Sequence, residues 1–231
     1  METSTLNSAF ILLFTLDPDL TEIVLLSLRV SGVALFFSSL IALPLGAVLA
    51  LLSFPLSHTI LIIMQSLTGL PPVLAGLFVY LVLSKQGLLG ELSLLYTPYA
   101  MMMVQVIIMV PLLTVMTRQT ISDLIYRHKE QWSVLGYRPM VMIGYFLYDA
   151  RLSLMTSLLI ALSRGLSEVG GVMIVGGNIH HATRVMTTAI ALETSKGNLI
   201  FASSLGLVLL SLSMVITMTA FALRKRLLKS S

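Results

Sequence analysis

Apolar residues form five long runs along the chain, separated by short polar segments. The runs cover about residues 20–52, 59–83, 98–117, 151–175 and 199–223. Each run is long enough for an α-helix that crosses the ~30 Å hydrocarbon core of a bilayer. The pattern therefore predicts an all-α integral membrane protein with about five transmembrane helices in a single domain, residues 1–231.

Helix-breaking residues interrupt the first two runs. Pro44 and Gly46 lie in the first run, and Gly69, Pro71 and Pro72 fall near the middle of the second. We expect the second helix to kink or break close to the middle of the bilayer. Non-helical backbone at that depth is tolerated only where it contacts protein or water. The N–H and C=O groups that the break leaves unpaired are therefore candidates for lining a transport pathway. A simple kink is the alternative.

Composition supports the membrane assignment and excludes several classes of protein. The chain is 57% apolar and 10% charged, with a mean hydropathy of +0.98, whereas soluble domains carry about 25% charge. Residues 1–19 lack the basic n-region of a signal peptide and their apolar run is too short to span, so they predict a short interfacial segment. The net charge of +4 is explained by basic residues on the cytoplasmic side of the membrane, and it does not indicate nucleic-acid binding. The absence of cysteine excludes disulfides and thiolate metal sites.

Basic residues are distributed unequally between the two sides of the membrane. With the C-terminus inside, five spans place the N-terminus outside. Three basic residues then lie outside: Lys85, Arg184 and Lys196. Nine lie inside: Arg118, Arg127, Lys129, Arg138, Arg151, Arg224, Lys225, Arg226 and Lys229. By the positive-inside rule this bias predicts the N-outside, C-inside orientation.

The longest polar segment, residues 118–150, is predicted to be a cytoplasmic docking platform. A helical stripe of apolar residues follows Thr120, which with Asp123 resembles a capping box. Gly136 and Pro139 are typical of a helix end, and a second helix is predicted over 140–148. The stripe consists of Ile121, Leu124, Ile125, Trp132 and Leu135.

Two motifs resemble those of a known family. Glu130 and Gly136 have the spacing of the E-A-A-x-x-x-G coupling loop of ABC importer permeases, although Gln131 and Trp132 replace its two alanines. The run Ser163–Asn178, S-R-G-L-S-E-V-G-G-V-M-I-V-G-G-N, resembles that of molybdate and tungstate permeases, most closely the tungstate type.

The resemblance implies a MetI-like fold and import of an oxyanion, tungstate first and molybdate second. It implies a homodimer that works with cytoplasmic ABC ATPase subunits and an extracytoplasmic oxyanion-binding protein. ATP and Mg²⁺ would be bound by the ATPase, and no cofactor by this chain. The residues that would dock the ATPase are Glu130, Gln131, Trp132, Gly136 and Tyr137.

Candidate residues of the translocation pathway or gate lie inside the spans, where ionisable groups are rare. They are Arg164, Glu168, Gly69, Pro71, Pro72 and Arg29. Arg164 and Glu168 are spaced i,i+4 on a predicted helix, so they either neutralise each other or each has another partner, with Arg29 a candidate for Glu168. A carboxylate is a poor ligand for an oxyanion, so Glu168 is not expected to contact substrate. The glycines that follow Arg164 predict close helix packing.

Other kinds of site find little support in the sequence. His180 and His181 are a poor metal pair, because no other ligand-type residue lies near them in the sequence, and we expect no metal. No P-loop motif occurs, so ATP hydrolysis requires another chain. An ion-coupled secondary transporter is the alternative function, but no internal repeat supports it. An intramembrane enzyme lacks a nucleophile–base pair.

Overall fold

The computed structural model describes residues 17–52, 55–127 and 142–230, and these residues are almost entirely helical. The helices are α1 (Pro18–Leu51), α2 (Ser57–Leu67), α3 (Pro72–Leu83), α4 (Pro98–Arg127), α5 (Ile143–Asp149), α6 (Arg151–Leu166), α7 (Gly170–Gly176), α8 (Met186–Ser195) and α9 (Leu199–Ser230). A 3₁₀ turn, Gly90–Leu92, precedes α4. The all-α membrane fold is thus confirmed.

Among the described residues, three helices are long and apolar enough to cross a membrane, namely α1, α4 and α9. The count rises to five if two bent pairs, α2 with α3 and α5 with α6, each form one span. Within its most apolar window, α4 is 61% buried, against 33% for α1 and 22% for α9. The sides of α1 and α9 are therefore available to lipid or to another subunit.

Local sequence explains where several helices begin and end. Asp17 caps α1, because its Oδ1 accepts the N–H groups of Asp19 (3.0 Å) and Leu20 (3.1 Å). Pro18 then occupies the first helical position, where a missing N–H costs nothing. At the end of α7, Gly177 has a φ of +69°, a conformation that favours glycine.

The structure corrects three details of the predicted helices. α1 runs unbroken through Pro44, and Gly46 allows close approach to α4, since an added Cβ would lie 2.7 Å from the carbonyl oxygen of Thr114. α4 extends to Arg127, so Thr120 does not begin a helix. Its hydroxyl donates to the carbonyl of Met116 in the preceding turn, which excludes the predicted capping box.

The chain divides into two compact units. One comprises residues 1–34, 71–105 and 163–215, and the other comprises 35–70, 106–162 and 216–231. In the second unit, α5 packs against α1 and α4 through a buried cluster whose largest member is Phe146, fully buried. α5 and α6 meet at an angle of 76° around Ala150. The first unit holds most of the candidate site.

Candidate functional site

The fourth predicted span is broken at residues 167–169, between α6 and α7. Glu168 lies in this break and is only 8% exposed. Its Oε1 accepts the N–H of Gly171 at 2.9 Å, near the start of α7. Its carbonyl accepts a hydrogen bond of 2.7 Å from the hydroxyl of Thr187 in α8. Glu168 thus holds the broken backbone in place through one local contact, with Gly171, and one sequence-distant contact, with Thr187.

This break lies directly against the start of α3. A Cβ added to Gly171 would lie 2.7 Å from the carbonyl oxygen of Pro72, and one added to Gly76 would lie 2.7 Å from the Cα of Gly171. Real Cβ atoms are not found at such distances, so glycine is required at both positions. The close packing predicted for the glycines that follow Arg164 is thus confirmed at Gly171, and Gly76 is its partner in α3. Two interruptions of apolar helices therefore meet at Pro72 and Gly171.

The break before α3 follows the predicted G-L-P-P sequence. α2 ends at Leu67 and Gly69 donates its N–H to the carbonyl of Ser66 at 3.2 Å. Pro71 is extended, with φ −60° and ψ 125°, and Pro72 is the first residue of α3. Gly69 and Pro71 are exposed and Pro72 is half-buried. The predicted break is confirmed, whereas a role in transport stays a prediction.

The two arginines of the candidate pathway do not pair with Glu168. Arg29 and Arg164 are both exposed, and no ion pair joins either of them to Glu168 among the described residues. The prediction that Arg164 and Glu168 share one helix face is wrong, because α6 ends at Leu166, between the two residues. The suggested pairing of Arg29 with Glu168 is also not present.

A buried glutamine in α4 was not anticipated from the sequence. Nε2 of Gln105 donates to the hydroxyl of Ser31 in α1 at 3.2 Å and to the carbonyl of Gly165 at 3.0 Å. The residue is 4% exposed, and its Oε1 finds no hydrogen-bond partner in the part of the chain that the structure describes. Gln105 therefore links three helices just before the break at Glu168. A single amide within the apolar run M-M-V-Q-V-I-I was the available signal.

Helix α8 was also missed. Its first N–H, that of Met186, donates to the hydroxyl of Ser27 in α1 at 2.8 Å, and the side chain of Met186 is fully buried. Near its end, Glu193 accepts hydrogen bonds from Lys196 (2.9 Å) and Asn198 (3.0 Å). These contacts, led by the Lys196 ammonium, hold the pKa of Glu193 below its usual value. α8 is thus joined to α1 at its start, and Glu193 holds the turn that follows its end.

Two carboxylates lie beside the adjacent histidines, contrary to the expectation from sequence distance. Nε2 of His180 lies 3.9 Å from Oδ2 of Asp19, and Nδ1 of His181 lies 2.7 Å from Oε2 of Glu22. All four side chains are exposed. The structure thereby brings the first turn of α1 to the loop that precedes α8.

The predicted ATPase-docking residues, Glu130, Gln131, Trp132, Gly136 and Tyr137, lie outside the described residues. On either side of them, the structure describes the end of α4 at Arg127 and the start of α5 at Ile143. Docking by this segment therefore stays a prediction.

Comparison with known proteins reveals relatives across nearly the full length of the chain, although no protein-family model matches it. It is 35% identical over 219 residues to the tungstate uptake system permease protein TupB of Peptoclostridium acidaminophilum, covering 95% of this chain and 96% of that protein. It is 31% identical over 217 residues to the protein of the same name from Campylobacter jejuni, covering 94% and 88%. It is 34% identical over 198 residues to a probable anion ABC transporter permease protein of Haloferax volcanii, covering 84% and 85%.

Proposed function

Because the chain belongs to the family of ABC importer permeases that includes the tungstate uptake permeases, we propose that it is the subunit through which tungstate crosses the membrane. The observation that supports this most strongly is similarity over at least nine-tenths of the chain to two permeases named for tungstate uptake. Molybdate, an oxyanion of the same charge and shape, is the second candidate cargo.

In this proposal, the translocation pathway is lined by two helix breaks that lie against each other, one before α3 and one between α6 and α7. Where the backbone is not helical inside a membrane, its N–H and C=O groups must form hydrogen bonds with other parts of the protein or with water. Glu168 and Thr187 satisfy part of it at the α6–α7 break, and Pro71 and Pro72 have no N–H to satisfy. The pathway would run past Pro71, Pro72 and Gly69, with Glu168 holding its wall and not binding the anion.

Arg29 and Arg164 would supply positive charge to the pathway. An arginine that faces lipid at the centre of a bilayer costs ~2.5–3.5 kcal/mol even on insertion scales. Both side chains are exposed on apolar helices, so water, the anion or a second subunit must cover them. A guanidinium binds tetrahedral oxyanions through paired N–H groups, which fits an anion pathway.

The chain would act within a larger assembly. We propose a homodimer with two cytoplasmic ABC ATPase subunits, an extracytoplasmic oxyanion-binding protein and surrounding lipid, with ATP and Mg²⁺ bound on the ATPase. The N-terminus would be outside and the C-terminus inside. Closure of the ATPases on ATP would draw the two docking segments together and turn the pathway outward.

Co-purification with a P-loop ATPase tests this function. When the chain is co-expressed with its ABC ATPase, we expect a stable complex whose ATPase activity rises when loaded binding protein is added. Glu130→Lys and Gly136→Pro should uncouple hydrolysis from transport. Glu91→Lys reverses an exposed carboxylate on the Gly90–Leu92 turn and is the matched control. A permease that transports without an ATPase would overturn the proposal.

A further inference from the structure

We propose that Asp19, His180 and His181 form a binding site for a divalent transition-metal cation, with Zn²⁺ as the best-matched ion. One carboxylate oxygen of Asp19 and one ring nitrogen of each histidine all lie within 4.8 Å of one another. Zn²⁺ is held at about 2.0–2.2 Å by such ligands, so small side-chain rotations suffice to bring all three onto one ion. Two imidazoles with one carboxylate are a frequent protein ligand set for zinc with an open position.

Glu22 provides the supporting contact that metal-bound histidines usually have. Its carboxylate lies 2.7 Å from Nδ1 of His181. When Nδ1 carries the proton and donates it to Glu22, the lone pair is on Nε2, the nitrogen left for a metal. Asp19 and Glu22 lie one turn apart on α1, so both face the histidine loop.

The loop that carries the histidines is held in a fixed shape. The hydroxyl of Thr183 accepts the N–H of Ile179 at 3.0 Å, and the side chain of Thr183 is buried. His181 adopts a φ of +59°, which is unusual for a residue other than glycine. A fixed loop reduces the entropy that a metal must overcome when it gathers its ligands.

Charge and access also suit a cation. Arg184 lines the same surface recess, so with neutral histidines the two carboxylates and this arginine leave a net negative charge. Side-chain exposure is 54% for Asp19, 44% for His180 and 60% for His181, which leaves room for water at the open coordination position. Asp17, by contrast, is already engaged as the cap of α1. The site would tie the first turn of α1 to the loop before α8.

Zinc binding by the full-length permease tests the proposal. The protein is purified in detergent through a tag without histidine, stripped with a chelator and titrated with Zn²⁺. We expect one saturable site per chain, which His180→Ala/His181→Ala removes. Glu22→Gln should keep the stoichiometry and weaken the affinity by about 10- to 100-fold.

His58→Ala is the matched control, because His58 is an exposed histidine of α2 and is not a member of the cluster. It should bind Zn²⁺ as the unaltered chain does. Circular dichroism and gel filtration check that the double variant is folded, and Asp19→Asn, a smaller change, should weaken binding independently. Equal binding by the unaltered chain and the double variant would overturn the proposal. The proposal would also be overturned if the stabilities of the unaltered chain and the double variant differed with pH but neither changed when Zn²⁺ was added. Neither result would affect the transport function.

Discussion

Glu168 shows how a carboxylate can be tolerated within an apolar span although no described cation pairs with it. Its oxygen accepts a backbone N–H and its carbonyl accepts a hydroxyl, so it replaces hydrogen bonds that the helix break removes. Position 168 therefore requires a side-chain oxygen that accepts the N–H of Gly171. Arg164 lies four residues before it and is exposed, so the two residues should contribute separately to stability and to transport.

We expect Arg164→Leu and Glu168→Leu to act independently. Glu168→Leu leaves the N–H of Gly171 without its acceptor and should destabilise the protein by about 1–3 kcal/mol. Arg164→Leu should change stability by less than about 0.5 kcal/mol but reduce uptake. The double variant should show the sum of both effects in thermal unfolding. Recovery of stability in the double variant would instead show that the residues are a mutually neutralising pair.

Glu193 should make the stability of the α8 end depend on pH. Its pKa is lowered mainly by Lys196, so its contribution is complete above the unfolded-state pKa of about 4.5. That contribution disappears as the pH falls through the lower folded-state pKa. Glu193→Gln should therefore lower the melting temperature at neutral pH, and this difference should shrink as the pH is lowered below about 4.5. The effect is below about 1 kcal/mol, because Lys196 is 53% exposed.

Glu91→Gln serves as the control for this pH dependence, since Glu91 is exposed on the Gly90–Leu92 turn. It should leave the melting temperature nearly unchanged over the same pH range. A Glu193→Gln difference that grows on acidification would contradict the stated direction.

At the level of helices, α3 and α7 pack closely against each other within the first unit. It depends on Gly76 and Gly171, whose backbones are in contact. Because α7 starts at a break, its position is set by this contact and by Glu168. The α3–α7 contact should therefore be sensitive to a single methyl group.

Gly171→Ala should destabilise the protein by about 1–3 kcal/mol, because the new Cβ would meet Pro72 and Val104 at 2.7 Å and 2.6 Å. Gly206→Ala in α9 is the control, since an added Cβ there meets nothing within 4 Å. It should be neutral or stabilise by up to about 1 kcal/mol through helix propensity. Thermal unfolding of both variants in detergent compares them. Equal effects in the two variants would refute the packing argument.

The parts of the fold that could be predicted from sequence are those encoded locally. The apolar runs correctly predicted the long helices α1, α4 and α9, and the proline pair correctly predicted the break before α3. The break at residues 167–169 was missed because no proline marks it and it is stabilised by Thr187, a distant residue. α8 was missed because its ten residues are of mixed polarity and Ser27 fixes its start. The Asp19–His180 contact depends on residues 161 positions apart, which periodicity does not relate.

At the scale of the whole molecule, the family resemblance and the oxyanion import function are confirmed by relatives that match nearly the entire chain. The membrane-spanning helices agree with a multi-pass transport subunit. Its orientation follows in our account from the nine basic residues assigned to the inside against three outside.

A topology reporter tests this orientation. A periplasmic reporter enzyme fused after Ser231 should be inactive, and the same enzyme inserted between Lys196 and Leu199, in the segment before α9, should be active. A reporter that is active after Ser231 would show the opposite orientation, which would place Glu130 outside the cell, where it could not bind a cytoplasmic ATPase.

Tungstate uptake by reconstituted proteoliposomes distinguishes an ATP-driven importer from an ion-coupled transporter. The complex of this chain with its ATPase is placed in vesicles with ATP inside and loaded binding protein outside. We expect tungstate to accumulate only when hydrolysable ATP is present, with molybdate competing and sulfate competing poorly. Accumulation that follows an imposed proton or sodium gradient and is indifferent to ATP would contradict the account and support a secondary transporter.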